Sequence, residues 1–299
     1  MISDTYYIDR VVPSGGKAMA EMANGKRNVS KKSAERGGGK QVTLSLGSAG
    51  EAHIKKIRAD APWSWLAAGW ADFSAMPLYS LCYGAGFAAL SFLIVGGMFV
   101  AQWGPVALAL GAGFMLLGPM LAMGMYEASR RREAGEALSL RAVFFVKAKA
   151  PSQLAFLAFV LSLLLLVWMR IALLLFALFF GSQVMPSLEN FLPTLLFTPH
   201  GLGLLVVGSL LGGVFAVFCF SISVISVPML LVRDVDALSA MLLSLRTVQE
   251  NFWPMMLWGW IITMVTVVGM ATFMVGMVVA FPLIGHASWH AYRGLVHID

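Results

Sequence analysis

The apolar runs of this chain restrict its fold more than any other feature. The last of them, from Phe252 to about Tyr292, holds roughly forty residues; as a helix rising about 1.5 Å per residue it would measure about 60 Å, twice the hydrocarbon thickness of a bilayer. One straight crossing is excluded. Two crossings fit, with a tight reversal near Gly269–Gly276, where glycine permits the turn.

Earlier runs tell the same story. Leu78–Val100, Gly104–Tyr126, Leu154–Phe180 and Gly201–Leu231 are each long enough to cross a bilayer. Of the 299 residues 59% are hydrophobic and 12% charged, against about 25% charged in soluble domains. So few charges cannot cover a globular surface, and the chain reads as a polytopic membrane protein. Cys82 and Cys219 both fall inside apolar runs and are expected to act as small packing residues, without a disulfide framework. The first apolar run begins too far along for a signal peptide.

The expected fold class is all-α: six transmembrane helices in three hairpins, each preceded by a short interfacial amphipathic helix. Residues 1–54 form a basic cytoplasmic tail, rich in Gly, Ser, Lys and Ala, which cannot bury enough surface to offset its ordering entropy and is expected to be disordered. Residues 55–299 form the transmembrane domain. It opens with a tryptophan-rich segment, Pro62–Phe73, in which Leu66, Trp70 and Phe73 recur at helical spacing, as in a helix lying at the headgroup level. Ser139-Leu140-Arg141-Ala142-Val143 reappears as Ser244-Leu245-Arg246-Thr247-Val248. Prolines follow these pieces at Pro77, Pro151 and Pro254, and the second helix of each hairpin carries Pro119, Pro228 or Pro282. Such prolines are expected to kink a span whose freed carbonyls are satisfied by neighbours.

Charge sets the orientation. With six spans, twenty of the 21 Lys and Arg lie on one side and none in the opposite loops, Arg170 being the remaining one. Basic residues stay on the untranslocated side, which places both termini in the cytoplasm of a bacterial inner membrane. The basic tail and Arg130-Arg131-Arg132 then face an anionic cytoplasmic leaflet, and no nucleic-acid partner is needed to explain them.

The stretch Trp63–Tyr83, the run from Gly118 through Arg131, and the ending Pro282-Leu283-Ile284-Gly285-His286-Ala287-Ser288-Trp289-His290-Ala291-Tyr292-Arg293 together resemble a bacterial family of integral membrane proteins of unknown function, over about residues 55–296. Some of its members are labelled as cytochrome c oxidase subunits. The resemblance implies a membrane location and a respiratory neighbourhood, but no catalytic residues.

Few residues carry chemistry. His286 and His290 are spaced i, i+4, so both imidazoles leave one helix face, as a metal or haem site would require. No acid or cysteine accompanies them in the span. Trp289, Tyr292 and Arg293 around them fit an interfacial belt, and hydrogen bonding or packing is the simpler role. Five histidines and no Cys-x-x-Cys-His exclude a haem-copper catalytic subunit and a c-type haem. Arg170 has sixteen uncharged residues before it and ten after. A cation in hydrocarbon costs about 2.5–3.5 kcal/mol on insertion scales, so it is a functional candidate by default. No phosphate loop, nucleophile elbow or zinc motif is present, and an enzyme is not indicated.

The expected function is therefore non-catalytic: an inner-membrane protein, an accessory or assembly partner of a respiratory membrane complex, with no cofactor. The alternatives are a small-solute transporter or channel using Arg170, and a haem or metal redox protein using His286 and His290.

Overall fold

The structure is a computed structural model and describes residues 42–45, 51–100, 117–181 and 188–298. It is mostly helical. A pair of short strands, β1 (Val42–Ser45) and β2 (Glu51–Ile54), leads to α1 (Ala61–Ala75) and α2 (Pro77–Val100). After the helical residues 117–121 come α3 (Met123–Glu133), α4 (Leu140–Phe144) and the long α5 (Pro151–Phe180). Then follow α6 (Leu188–Phe197), α7 (Pro199–Ser223), α8 (Ser226–Val232) and α9 (Ala237–Glu250). The chain ends with α10 (Phe252–Ala271), α11 (Met277–Leu295) and β3 (Val296–Ile298).

Local chemistry explains the helix starts. Pro77, Pro151 and Pro199 open α2, α5 and α7, where the missing N–H costs nothing and φ is preset. Ser139, Thr198 and Asp236 cap α4, α7 and α9 by accepting a hydrogen bond from Ala142 N at 3.2 Å, Gly201 N at 3.1 Å and Ser239 N at 2.8 Å, each satisfying an otherwise orphaned first-turn amide.

Among the described residues, four helices are long and apolar enough to cross a membrane: Pro77–Met98, Pro151–Phe180, Pro199–Val232 and Phe252–Ala271. The expected second span lies largely in residues 101–116, outside the described residues. The expected sixth, α11, is not among the four, because its C-terminal half carries His286, Ser288, His290 and Arg293.

Pro228 sits just beyond the break between α7 and α8. There Ile225 N turns from the helix ladder to Ser244 Oγ at 3.2 Å, and the Ser244 hydroxyl donates to the freed Ser221 carbonyl at 2.6 Å. One serine of α9 thus repairs both halves of the interrupted bond. Pro119 lies in the helical residues 117–121, and Pro282 lies within α11 without ending it.

The reversal between α10 and α11 falls where glycine spacing puts it, for a different reason. The left-handed residues are Phe273 and Met274, with φ of 52° and 67°. Gly269 and Gly276 instead let the two strands of the turn touch: a Cβ on Gly276 would stand 3.0 Å from Gly269 Cα.

Two further expectations change. The tail does not stay apart up to residue 54: β1 pairs antiparallel with β2, and β2 with β3, with Ile54 opposite Val296. A small sheet is thereby added to the helical fold, tying the segment before α1 to the end of α11, while residues 1–41 lie outside the described residues. Asn251 locks this junction by accepting from Ile57 N and donating to Lys55 O, both at 3.0 Å. In addition, the expected face of Leu66, Trp70 and Phe73 is divided: Phe73 is buried with Pro62, Trp65, Gly69 and Asp72, while Leu66 is half-buried. Trp70 is exposed and stacks on Phe73 at 5.5 Å between ring centres.

α11 packs against α1, α2, α3 and α10, whereas α5 packs mainly on α7. The closeness of the first group depends on missing side chains. A Cβ on Gly69 of α1 would lie 2.7 Å from the backbone of Ala287, and one on Gly285 would lie 2.6 Å from Met125 Cβ of α3. In this packing α2 and α3 come within hydrogen-bond reach of His286, through Ser80 and Ser129, and α1 within reach of His290, through Asp72.

Candidate functional site

Asp72 is the only charged residue between Asp60 and Glu127, and the fold buries it to 1% exposure. A carboxylate so placed needs partners. It has three: the hydroxyl of Ser129 donates to Oδ2 at 2.5 Å, the His290 Nε2–H donates to the same oxygen at 2.9 Å, and Arg132 pairs with Oδ1. The helices supplying them are α3 for Ser129 and Arg132 and α11 for His290.

The chain of bonds continues inward. His286 is fully buried; its Nδ1 lies 2.8 Å from Ser129 Oγ and its Nε2 lies 3.0 Å from Ser80 Oγ of α2. Proton counting fixes the tautomer. Ser129 has one hydroxyl proton, and an ionised Asp72 takes it. Ser129 Oγ must then accept from His286 Nδ1–H, which leaves Nε2 to accept from Ser80. Ser80 Oγ is also 3.0 Å from the Met76 carbonyl, so its single proton chooses between two acceptors. Outward, His290 Nδ1 lies 3.7 Å from Glu133, whose other oxygen pairs with Arg293 Nε at 3.3 Å. A continuous polar path therefore runs from Arg293 and Glu133 through His290, Asp72, Ser129 and His286 to Ser80.

A second acid, Glu127, anchors the arginine run beside it. Arg130 grips Glu127 with Nε at 2.7 Å and Nη2 at 2.9 Å, and reaches Glu136 with Nη1 and Nη2, both at 2.8 Å. Arg131 Nε meets Glu127 at 2.6 Å. The three arginines are thus bound to acids of this chain: Arg130 and Arg131 to Glu127, Arg132 to Asp72.

Burial alone would raise the pKa of both acids. For Asp72 the hydrogen bonds from His290 and Ser129 outweigh it and hold the carboxyl below its ordinary range. For Glu127 the bonds to Arg130 and Arg131 do the same.

The structure thus unites His286, His290 and Arg293 in one network. Trp289 and Tyr292 pack beside it with ring centres 5.6 Å apart. Arg170 is elsewhere, exposed midway along α5. Asp72, Ser80, Ser129 and Arg132 are members that sequence reasoning missed. Among the described residues no group of three or more His, Cys, Asp or Glu side chains is arranged to hold a metal. Both nitrogens of His286 are engaged by serines, so its lone pair is not turned toward an open coordination site.

Long apolar helices, closed by a buried ionic cluster where α1, α3 and α11 meet, define an α-helical integral membrane protein. Residues 107–232 match the model of a family described as "Predicted integral membrane protein (DUF2189)", whose function is unknown. The expected resemblance to a family of integral membrane proteins is borne out over that region, which is narrower than 55–296 and leaves the closing run of α11 outside. No curated protein and no solved structure matches the chain.

Proposed function

We propose that this chain is a non-catalytic protein of the bacterial inner membrane that acts by associating with another membrane protein. In this proposal it has six spans in three hairpins, each with its preceding surface helix, and both termini in the cytoplasm. The distribution of Lys and Arg supports the orientation. Short helices preceding proline-led long ones, as in α1 before Pro77 and α4 before Pro151, support the threefold pattern.

One observation carries the association. Arg170 is exposed on α5 among exposed apolar side chains such as Leu166, Val167, Leu173 and Leu174. A cation on an outward apolar face is costly in lipid, and a carboxylate or carbonyl of a partner helix would remove that cost. Facing outward and lining neither described cavity, Arg170 suits a partner better than a solute inside the bundle. The oxidase labels of the resembling family make a respiratory complex the first partner class to examine.

The test is gentle extraction from native membranes of the wild type and of Arg170→Leu, followed by quantitative identification of co-purifying proteins. The proposal expects a membrane protein in stoichiometric amount with the wild type and its loss from the folded variant. A wild type that migrates alone at monomer mass, or a partner indifferent to Arg170, would overturn it.

A further inference from the structure

The segment from α4 into α5 carries positive charge with no acid of its own to meet it. Between Glu136 and Glu189 the chain holds no Asp or Glu, and Arg141, Lys147 and Lys149 stand close together there. All three residues are exposed, and among the described residues their side chains make no hydrogen bond or ion pair. Arg130, Arg131 and Arg132 differ, each being bound to an acid. Two acids follow α8, near Lys149 in the fold. Asp236 is spent on the Ser239 amide, and Asp234 pairs with none of the three cations among the described residues.

Two exposed aromatic residues lie between these cations in the chain. Phe144 is 47% and Phe145 76% exposed, whereas Val143 is fully buried and fixes α4 to the bundle. The segment is held at both ends. The Tyr79 hydroxyl of α2 donates to the Leu138 carbonyl at 3.1 Å, and the Lys149 amide donates to the Leu231 carbonyl of α8 at 3.0 Å. The Phe144 ring rests 5.2 Å from that of Tyr83 and lies over Gly86. Gly86 is about 13 Å along the helix axis from Pro77, where a membrane-crossing helix begins; a headgroup layer is only about 5–7 Å deep. Phe144 is therefore set at the level of acyl chains, while long basic side chains on the same segment can extend to the headgroups.

We propose that this segment is a binding site for an anionic phospholipid, with the headgroup phosphate held by Arg141, Lys147 and Lys149 and an acyl chain lying along Phe144 and Phe145. Charge complementarity selects the anionic headgroup, since each basic side chain near a membrane surface favours it. The depth of the Phe144 ring selects a lipid over an acidic protein. The site rests on the membrane location contained in the proposed function, but on neither its partner nor Arg170.

The whole protein, purified in detergent, is incubated with phosphatidylglycerol or with zwitterionic phosphatidylcholine, and bound lipid is counted by native mass spectrometry. The wild type should retain phosphatidylglycerol preferentially, and added salt should shrink that preference by screening. Lys147→Gln should weaken phosphatidylglycerol retention about fivefold, and the triple variant Arg141→Gln/Lys147→Gln/Lys149→Gln about a hundredfold, with phosphatidylcholine unchanged. Phe145→Ala should lower retention of both lipids. Arg58→Gln, whose guanidinium already pairs with Asp60, should change neither. An unaltered thermal midpoint identifies the variants as folded. Equal retention of the two lipids by the wild type, a folded triple variant that keeps its phosphatidylglycerol, a Phe145→Ala variant that loses neither lipid, or displacement of the lipid by millimolar inorganic phosphate would overturn the proposal. The purified protein carries no partner, so these outcomes are separate from the fate of the Arg170 test.

Discussion

Asp72 and His290 stand 218 residues apart in sequence and 2.9 Å apart in space, with the imidazole Nε2–H donating to the carboxylate. Around that bond the first helix of the bundle, the arginine-rich α3 and the last helix are joined. The join is electrostatic, centred on a buried carboxylate, so each member depends on the others.

Removing the acid should therefore cost more than one bond. Asp72→Ala leaves Ser129 and His290 without their acceptor and Arg132 without its counter-ion, while Asp72→Asn keeps an acceptor. We expect Asp72→Ala to lower stability by about 1–3 kcal/mol, the cost of buried groups left unpaired, and Asp72→Asn to cost less. Denaturant titration in mixed micelles measures both.

The acid limb of stability should follow from the same carboxylates. Asp72 and Glu127 are both held below their ordinary pKa in the folded protein. A carboxyl lowered on folding contributes its stability above the unfolded value, about 3.9 for Asp and 4.3 for Glu, and loses it as pH falls through the lower folded value. The thermal midpoint in detergent should hold down to about pH 4 and drop below it. In Asp72→Asn the drop should be shallower; an unchanged acid limb would remove Asp72 from the account.

Close approach of α1 to α11 rests on Gly69. Gly69→Ala puts a methyl group 2.7 Å from the backbone of Ala287, and overpacking of this kind costs about 1–3 kcal/mol. Gly86→Ala is the control, since its Cβ would meet only the Phe144 ring at 3.6 Å, and its midpoint should stay within about 1 kcal/mol of the wild type.

The sequence made the long helices legible because the bilayer demands them: no soluble fold explains α5, and proline marks where α2, α5 and α7 begin. The break after Ala271 was legible from length alone. The chemistry of the site was not. His286 and His290 announce themselves by spacing, but their partners come from α1, α2 and α3, and nothing local links Asp72 to residue 290. The available signal was isolation: a single acid between Asp60 and Glu127 must be neutralised by something distant. The strands at 42–45 and 51–54 were equally hidden, since each is four residues long and β2 finds its second partner at the C-terminus.

The claim on which the rest depends is that Asp72 and His290 bind each other within the folded bundle. A double-mutant cycle of Asp72→Asn and His290→Gln, read as unfolding free energy in mixed micelles, tests it directly. We predict a coupling of about 0.5 kcal/mol or more between the two substitutions. Effects that simply add, within about 0.3 kcal/mol, would mean that the two side chains do not meet.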